Sequence, residues 1–229
     1  MAFIVITGGD KCGKTTQCNL LVGKLRSIGV GVCSLSVPDY DSPVGETIKR
    51  RLFEGCQSSP NSVEALNWRR SMEALHIVDK LLVADKVKEA QRQGCIVVCS
   101  RWYESAKAYA EANGFEEEWH ESLIYNLPHP DLTILLDIGD IDYKARLRCL
   151  GEDGLDKYET NQVMQVRVRE SMREWASNSQ TRLVDGSRTQ DEVALAVWQI
   201  VEQKLLAMAA FVSHAAEADR ELLRLVHQG

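Results

Sequence analysis

The chain has 229 residues, 45% hydrophobic and 26% charged, an ordinary balance for a soluble globular protein with room for one α/β domain and a substantial core. Its formal net charge of −6 argues against a nucleic-acid partner, because polyanion binding calls for a basic field, but local basic clusters remain free to hold a small phosphorylated ligand. Seven cysteines (Cys12, Cys18, Cys33, Cys56, Cys95, Cys99, Cys149) lack metal-ligand spacing, no signal h-region is present and no apolar stretch reaches membrane-spanning length, so the expectation is reduced thiols, no membrane partner and a cytoplasmic location.

In chain order, Phe3–Thr7 is β-branched and apolar, as a strand buried on both faces should be. "KTTQCNLLVGKLRSIG" spaces Leu20, Leu21, Leu25 and Ile28 at helical intervals and closes on Gly29 as a cap. "VGVCSLSV" is a second strand ended by Pro38, "VGETIKRRLFEG" a helix and "CQSSPNS" a loop. A long helical pattern from Val63 to Gln93 stops at Gly94, and "CIVVC" is a third strand. "ESAKAYAEA" and Glu116–Tyr125 read as helices before a fourth strand, "DLTILLD". Asp142–Leu150 and Gln162–Ala176 are helical on either side of the polar "GEDGLDKYE", "TRLVDGS" holds a short strand, and a long helix starts at Thr189. Strands alternating with helices predict about five parallel strands covered on both faces, in a single domain.

Between the first strand and first helix, Gly8-Gly9-Asp10-Lys11-Cys12-Gly13-Lys14-Thr15 fits G-x-x-x-x-G-K-[ST] in full. Gly8 and Gly13 permit turns that a Cβ would obstruct, so that several N–H groups converge on phosphate oxygens, and the following helix aims its positive end at the same point. Lys14 reaches the β- and γ-phosphates and the Thr15 hydroxyl suits Mg²⁺. The segment Gly8–Thr16 is therefore expected to bind a nucleoside triphosphate. Phosphate loops serve many reactions, but Arg101, just past the third strand in "VVCSRWYESAKAYA", falls at the carboxyl edge of the sheet, within reach of a second phosphorylated molecule.

From here the sequence resembles the thymidylate kinase family, which phosphorylates dTMP with ATP. "GGDKCGKTTQ" resembles the family's phosphate loop, "VPDYDSPVGETIKRRL" its FP-x-Y-x-x-P-x-G-x-x-I segment and "SRWYESAKAYA" its DRY-x-x-S-x-x-AY motif. "PHPDLTILLD" is similar to P-x-PDLT-x-x-LD, "RLRCLGEDGLDKYE" to the mobile lid, and "VDGS" to the D-A-S turn. The six matches run in order from about Phe3 to Val201. The resemblance implies a three-layer P-loop α/β fold with a lid over about 146–159, ATP and Mg²⁺ as donor and ion, a pyrimidine monophosphate as acceptor, and a homodimer whose face we expect on Val63–Gln93; beyond it, the alanines, charges and leucines of the last residues read as an extra C-terminal helix over about 205–229. The resemblance places Asp10 on the deoxyribose 3′-hydroxyl, Lys11 over the transferring phosphoryl, Arg101 on the acceptor phosphate, and Arg146 and Arg148 as lid clamps on the donor. The acceptor site would be completed by Pro38, Tyr40, His76, Lys80, Ser105, Tyr109 and Tyr158.

Departures from the family pattern gather on the acceptor side. Ser100 stands where the family has the aspartate of its DR pair, and Asp39 and Tyr40 lie where many members carry an arginine on the monophosphate. An aspartate facing phosphate would repel it. His76 and Lys80 replace a stacking phenylalanine and an arginine, so the bidentate fork is lost. Three readings stay open: a different or modified pyrimidine acceptor, dTMP binding restored by Lys49, Arg50 and Arg51, or a catalytically weak nucleotide-binding regulator.

Overall fold

The computed structural model describes residues 1–139, 142–146, 161–177 and 181–226, with side chains as far as 210. Five parallel strands, β1 (Phe3–Gly8), β2 (Val32–Ser36), β3 (Ile96–Ser100), β4 (Leu132–Asp137) and β5 (Arg182–Asp185), form one sheet in the order β2-β3-β1-β4-β5. β1, buried along its whole length, takes the centre between β3 and β4, with Ile4 opposite Val98 and Leu132. Its side chains alternate between two cores. Ile4 and Ile6 pack with Leu21, Val22 and Leu25 of α1 (Lys14–Ser27) and Val193, Val197 and Val201 of α7 (Gln190–Val226). Phe3 and Val5 pack with Val83, Ala84 and Val87 of α3 (Val63–Arg92) and with Trp102. Burial on both faces is why these strands read as continuous apolar runs.

The remaining helices are α2 (Pro43–Glu54), α4 (Tyr103–Ala112), α5 (Glu117–Ile124) and α6 (Gln162–Ser177). Local chemistry sets their ends. Ser42 caps α2 by accepting from the Gly45 N–H at 3.0 Å with Pro43 in the first turn, and Ser62 caps α3 from the Ala65 N–H at 3.1 Å. Ile28 rather than Gly29 is the cap of α1, and Gly29 takes the left-handed turn that follows at φ +82°. The helix expected at Asp142–Leu150 is present over 142–146, and the remainder lies outside the described residues. The C-terminal extension is continuous with α7 as far as Val226.

One expectation needs correction. Gln190–Ala210 of α7 is long and apolar enough to cross a membrane by length and composition. Its apolarity has another physical use here, because Val193, Val197 and Val201 form the row that covers the sheet.

Glu104, on the first turn of α4, is 3% exposed. Its Oε1 accepts from the Thr133 hydroxyl at 2.9 Å, whereas Oε2 makes no hydrogen bond among the described residues. Burial lifts its pKa from the usual 4.5 to about 7, against the smaller opposing pulls of its own backbone N–H, Thr133 and Lys80. Below pH 4.5 the acid is neutral folded or unfolded. As pH rises toward 7 the unfolded chain ionises first, so stability falls across that window and levels off above it. Glu104→Gln should therefore raise the Tm at pH 8, by an amount corresponding to at most about 3 kcal/mol, and make little difference at pH 4.5, as read by thermal melts at the two pH values.

Candidate active site

At the carboxyl edge of β1, β2 and β3 lies a cavity of about 970 Å³. The phosphate loop and first turn of α1 form its floor, with Asp10, Lys11, Gly13, Lys14, Thr15 and Thr16 in the lining. The residues after β2 supply Pro38 and Tyr40, α3 supplies His76 and Lys80, and α4 supplies Ser105 and Tyr109. Ser100 and Arg101 lie between these walls. The structure thus brings most of the described residues expected for donor and acceptor into one cavity.

The phosphate loop owes its course to two constraints. Gly8, at φ +147°, passes so near β4 that a Cβ would sit 2.4 Å from the Leu136 carbonyl oxygen, and Gly13 enters α1 at φ +97°. Lys11 is also left-handed, at φ 59°. The Lys14 ammonium bridges back to the Gly9 carbonyl at 2.6 Å and lies 3.7 Å from Cys12 Sγ. Burial and the Arg101 charge pull the Lys14 pKa below the usual lysine value. Gly8, Gly9 and Cys12 are not part of the lining. The Cys12 side chain belongs to the core, and Gly9 lies against Arg169, whose Cγ would be 3.0 Å from a Cβ there.

Asp10 is the hub of the site. Its Oδ1 pairs with Arg101 Nη2, while Oδ2 accepts from the Tyr109 hydroxyl at 2.7 Å and from Gln165 Nε2 at 2.8 Å. Burial alone would raise its pKa, but Arg101, Lys14, Tyr109 and Gln165 together hold it down at about 2. Arg101 reaches Asp10 because its backbone turns left-handed, φ 66°, directly after β3, with its N–H on the Ile6 carbonyl at 3.0 Å. That conformation is uncommon for a residue with a Cβ and re-aims the side chain across the end of β1.

On the acceptor side, the concern over Asp39 is corrected. Its carboxylate is tied to Lys86 Nζ at 2.6 Å, its N–H donates to Asp79, and it is not part of the cavity lining, whereas Tyr40 is. Nor do the three candidate compensating cations reach the cavity. Lys49 and Arg50 are exposed, and Arg51 donates to the Ser71 hydroxyl at 2.9 Å. His76 and Lys80 do line it, one helical turn apart, with the Lys80 ammonium on the His76 carbonyl at 3.1 Å. Burial, with Lys80 and Arg101 nearby, pushes the His76 pKa to about 3, so its ring is a neutral stacking and hydrogen-bonding group.

Arg146 is fixed where a lid cation was expected. Its guanidinium spans the Lys11 carbonyl at 2.9 Å and the Gly186 carbonyl at 2.7 Å, joining the phosphate loop to the turn after β5. Arg148, Tyr158 and most of the expected lid lie outside the described residues. Asp137, the acid ending β4, pairs with Arg173 at 2.8 Å. Sequence reasoning missed Gln165, fully buried at 0% exposure, and Glu73, which lines the cavity from α3. A signal for Gln165 was available, since it interrupts the apolar face of α6 formed by Met164, Val168 and Met172.

The family model described as thymidylate kinase matches residues 6–197. A probable thymidylate kinase of Pyrobaculum aerophilum is 31% identical over 210 residues, covering 89% of this chain and 97% of that protein. A thymidylate kinase of Thermomicrobium roseum is 34% identical over 208 residues, covering 88% and 94%. The solved structure of a thymidylate kinase from Candida albicans superposes with a TM-score of 0.70 at 24% identity, over 88% of this chain and 91% of that one, a likeness of fold. With the phosphate loop, Asp10 and Arg101 assembled on this sheet, the match along most of its length makes the chain a member of the thymidylate kinase family.

Proposed function

We propose that the chain transfers the γ-phosphoryl group of ATP to the 5′-phosphate of dTMP, giving ADP and dTDP. The observation that carries this reading is the convergence of Lys14, from the phosphate loop, and Arg101, from the end of β3, in one cavity. A donor held on the loop amides and an acceptor phosphate held by Arg101 then share a single wall, as in-line transfer requires.

The attacking atom is an oxygen of the acceptor phosphate, already anionic, so no protein base is needed. The bond from the γ-phosphorus to the ADP oxygen breaks as the new one forms, and the protein's work is positioning and neutralisation of charge. Lys14 takes the β- and γ-phosphate oxygens, Lys11 lies over the transferring group and Arg101 draws the acceptor inward. Asp10 orients Arg101 and receives the sugar hydroxyl, itself held by Tyr109 and Gln165. The neutral His76 ring stacks on the base, with Pro38, Tyr40 and Ser105 completing the acceptor pocket. The lid over 146–159, with Arg148 and Tyr158, closes over both substrates and excludes water.

Mg²⁺ fits the oxygen donors present. Thr15, exposed, lines the cavity beside Lys14, and half-buried Ser100 lines it too. Among the described residues no three His, Cys, Asp or Glu side chains lie together as a metal site, and an ion bound mainly by nucleotide phosphates and water needs none. When bound, Mg²⁺ would neutralise charge on the triphosphate oxygens.

A homodimer is supported by Val78, Leu81 and Leu82, which share one face of α3 and are 44%, 41% and 51% exposed. The six cysteines described are all free, which suits a cytoplasmic setting. The polar wall at His76 and Lys80 supports a second reading, in which a related pyrimidine deoxynucleotide is the preferred acceptor.

Coupled ADP release across dTMP, dUMP, dCMP and dGMP ranks these readings. Turnover with dTMP preferred is the expected result, and ATP binding without turnover on any acceptor would overturn it. Arg101→Ala should lower kcat/KM for the acceptor about a thousand-fold while calorimetric ATP affinity stays within about three-fold of wild type. Near-wild-type kinetics in that variant would remove Arg101 from the reaction.

A further inference from the structure

The acceptor wall on α3 holds a charged group that the reaction described above does not use. Glu73, His76 and Lys80 recur at i, i+3 and i+7, one face of the helix, and all three line the cavity. Glu73 is 5% exposed. Its Oε1 is 3.1 Å from Nε2 of His120 on α5, itself 2% exposed, and its Oε2 makes no hydrogen bond among the described residues. His120 Nδ1 is buried without a hydrogen-bond partner. An orphaned N–H there would cost more than an orphaned lone pair, so the ring hydrogen belongs on Nε2, directed at Glu73. His120 thus anchors one carboxylate oxygen and leaves the other as an acceptor in the cavity wall.

We propose that Glu73, positioned by His120, selects the acceptor base by receiving a ring N–H, so that the pocket takes thymine- and uracil-type bases and rejects cytosine. This rests on the reading of the acceptor as a pyrimidine monophosphate. Arg101 takes the phosphate end of the cavity, and the Asp10–Tyr109–Gln165 group takes the sugar, which leaves the α3 wall to the base. That wall offers an ammonium, Lys80, and a carboxylate, Glu73, on the same helix face. A carbonyl beside an N–H, the C4=O/N3–H edge of thymine and uracil, answers both. With sugar and phosphate held, cytosine presents a lone pair at N3, and a lone pair facing a carboxylate repels it. A site whose buried polar group is left unpaired discriminates strongly against the wrong ligand.

Two measurements test this without depending on one variant. Wild-type protein is titrated calorimetrically with dTMP and with N3-methyl-dTMP, expecting the methylated nucleotide to bind roughly thirty-fold more weakly or worse. Glu73→Gln keeps the side chain's volume and should raise the KM for dTMP roughly ten- to hundred-fold with kcat and the KM for ATP nearly unchanged, while shifting preference toward dCMP. His120→Phe should reproduce the KM shift, and His120→Gln, which retains an N–H donor, should recover most of it. Equal binding of the two nucleotides, or an unchanged dTMP-to-dCMP ratio in folded Glu73→Gln, overturns the proposal. The titration reads the contact whether or not phosphate is transferred. N–H discrimination without turnover would therefore refute the kinase reading and support this one, and turnover without discrimination would do the reverse.

Discussion

The site depends on the ion pair between Asp10 and Arg101. Asp10 is buried and Arg101 half-buried at the point where β1 and β3 end, so each charge is held where water alone solvates it poorly and the other partner compensates it. The structure spreads the requirement over four segments. Asp10 comes from the phosphate loop, Arg101 from a left-handed turn after β3, Tyr109 from α4 and Gln165 from α6. Each hydrogen bond to the carboxylate favours its charged form and draws its own helix toward the loop. Packing between α4 and α6, with Ala108 and Tyr109 against Met164, Val168 and Met172, is the apolar part of the same arrangement.

Around this pair the cavity is rich in constrained positive charge. Lys14 and Lys80 are both buried, and burial with Arg101 nearby lowers both pKa values. Lys14 lies on a backbone carbonyl of its own loop, and Lys80 on one of its own helix. Lys14 has given up hydration beside Asp10 and Arg101, so an incoming polyphosphate meets a cation that has already paid its desolvation. A net charge of −6 for the chain is compatible with such a pocket because the acids are elsewhere or engaged, Asp39 with Lys86 and Asp137 with Arg173.

The two ends of the site differed in how far they could be read from sequence. The donor end is built from backbone, so its constraints fall on glycines and a short spacing, and a contiguous string of letters carries them. Strand and helix assignments were legible for a similar reason, since burial on both faces of β1 and β3 leaves a one-dimensional trace. The acceptor end is built from side chains that converge from α3, α4, α5 and α6. Gln165 lies 155 positions from Asp10, and no spacing rule connects them. Asp39 was misjudged for the complementary reason. Its neighbourhood in the chain pointed to phosphate, but its orientation is decided by Lys86, 47 positions away on α3. Arg146 is likewise placed by distant partners, its guanidinium shared by the carbonyls of Lys11 and Gly186 while it lines the cavity.

That asymmetry bears on where a family of this kind can change. A substitution at Gly8 must displace the Leu136 carbonyl, and one at Gly45, where a Cβ would lie 1.9 Å from the Asp39 carbonyl oxygen, must displace the turn that leads into the acceptor wall. Neither obstacle is the flexible end of a side chain, so these positions have little freedom. Lines of sight from α3 are different. The helix is held by Val83, Ala84 and Val87 in the core, and its cavity-facing row at Glu73, His76 and Lys80 makes no demand on that packing. What it demands is electrical: a buried ammonium needs acid nearby, which Glu73 and Asp79 supply, and a buried acid needs a donor, which His120 supplies. His76 and Lys80 are therefore best understood together with Glu73 and His120, as one hydrogen-bonded and charged row on a helix whose core packing does not depend on it.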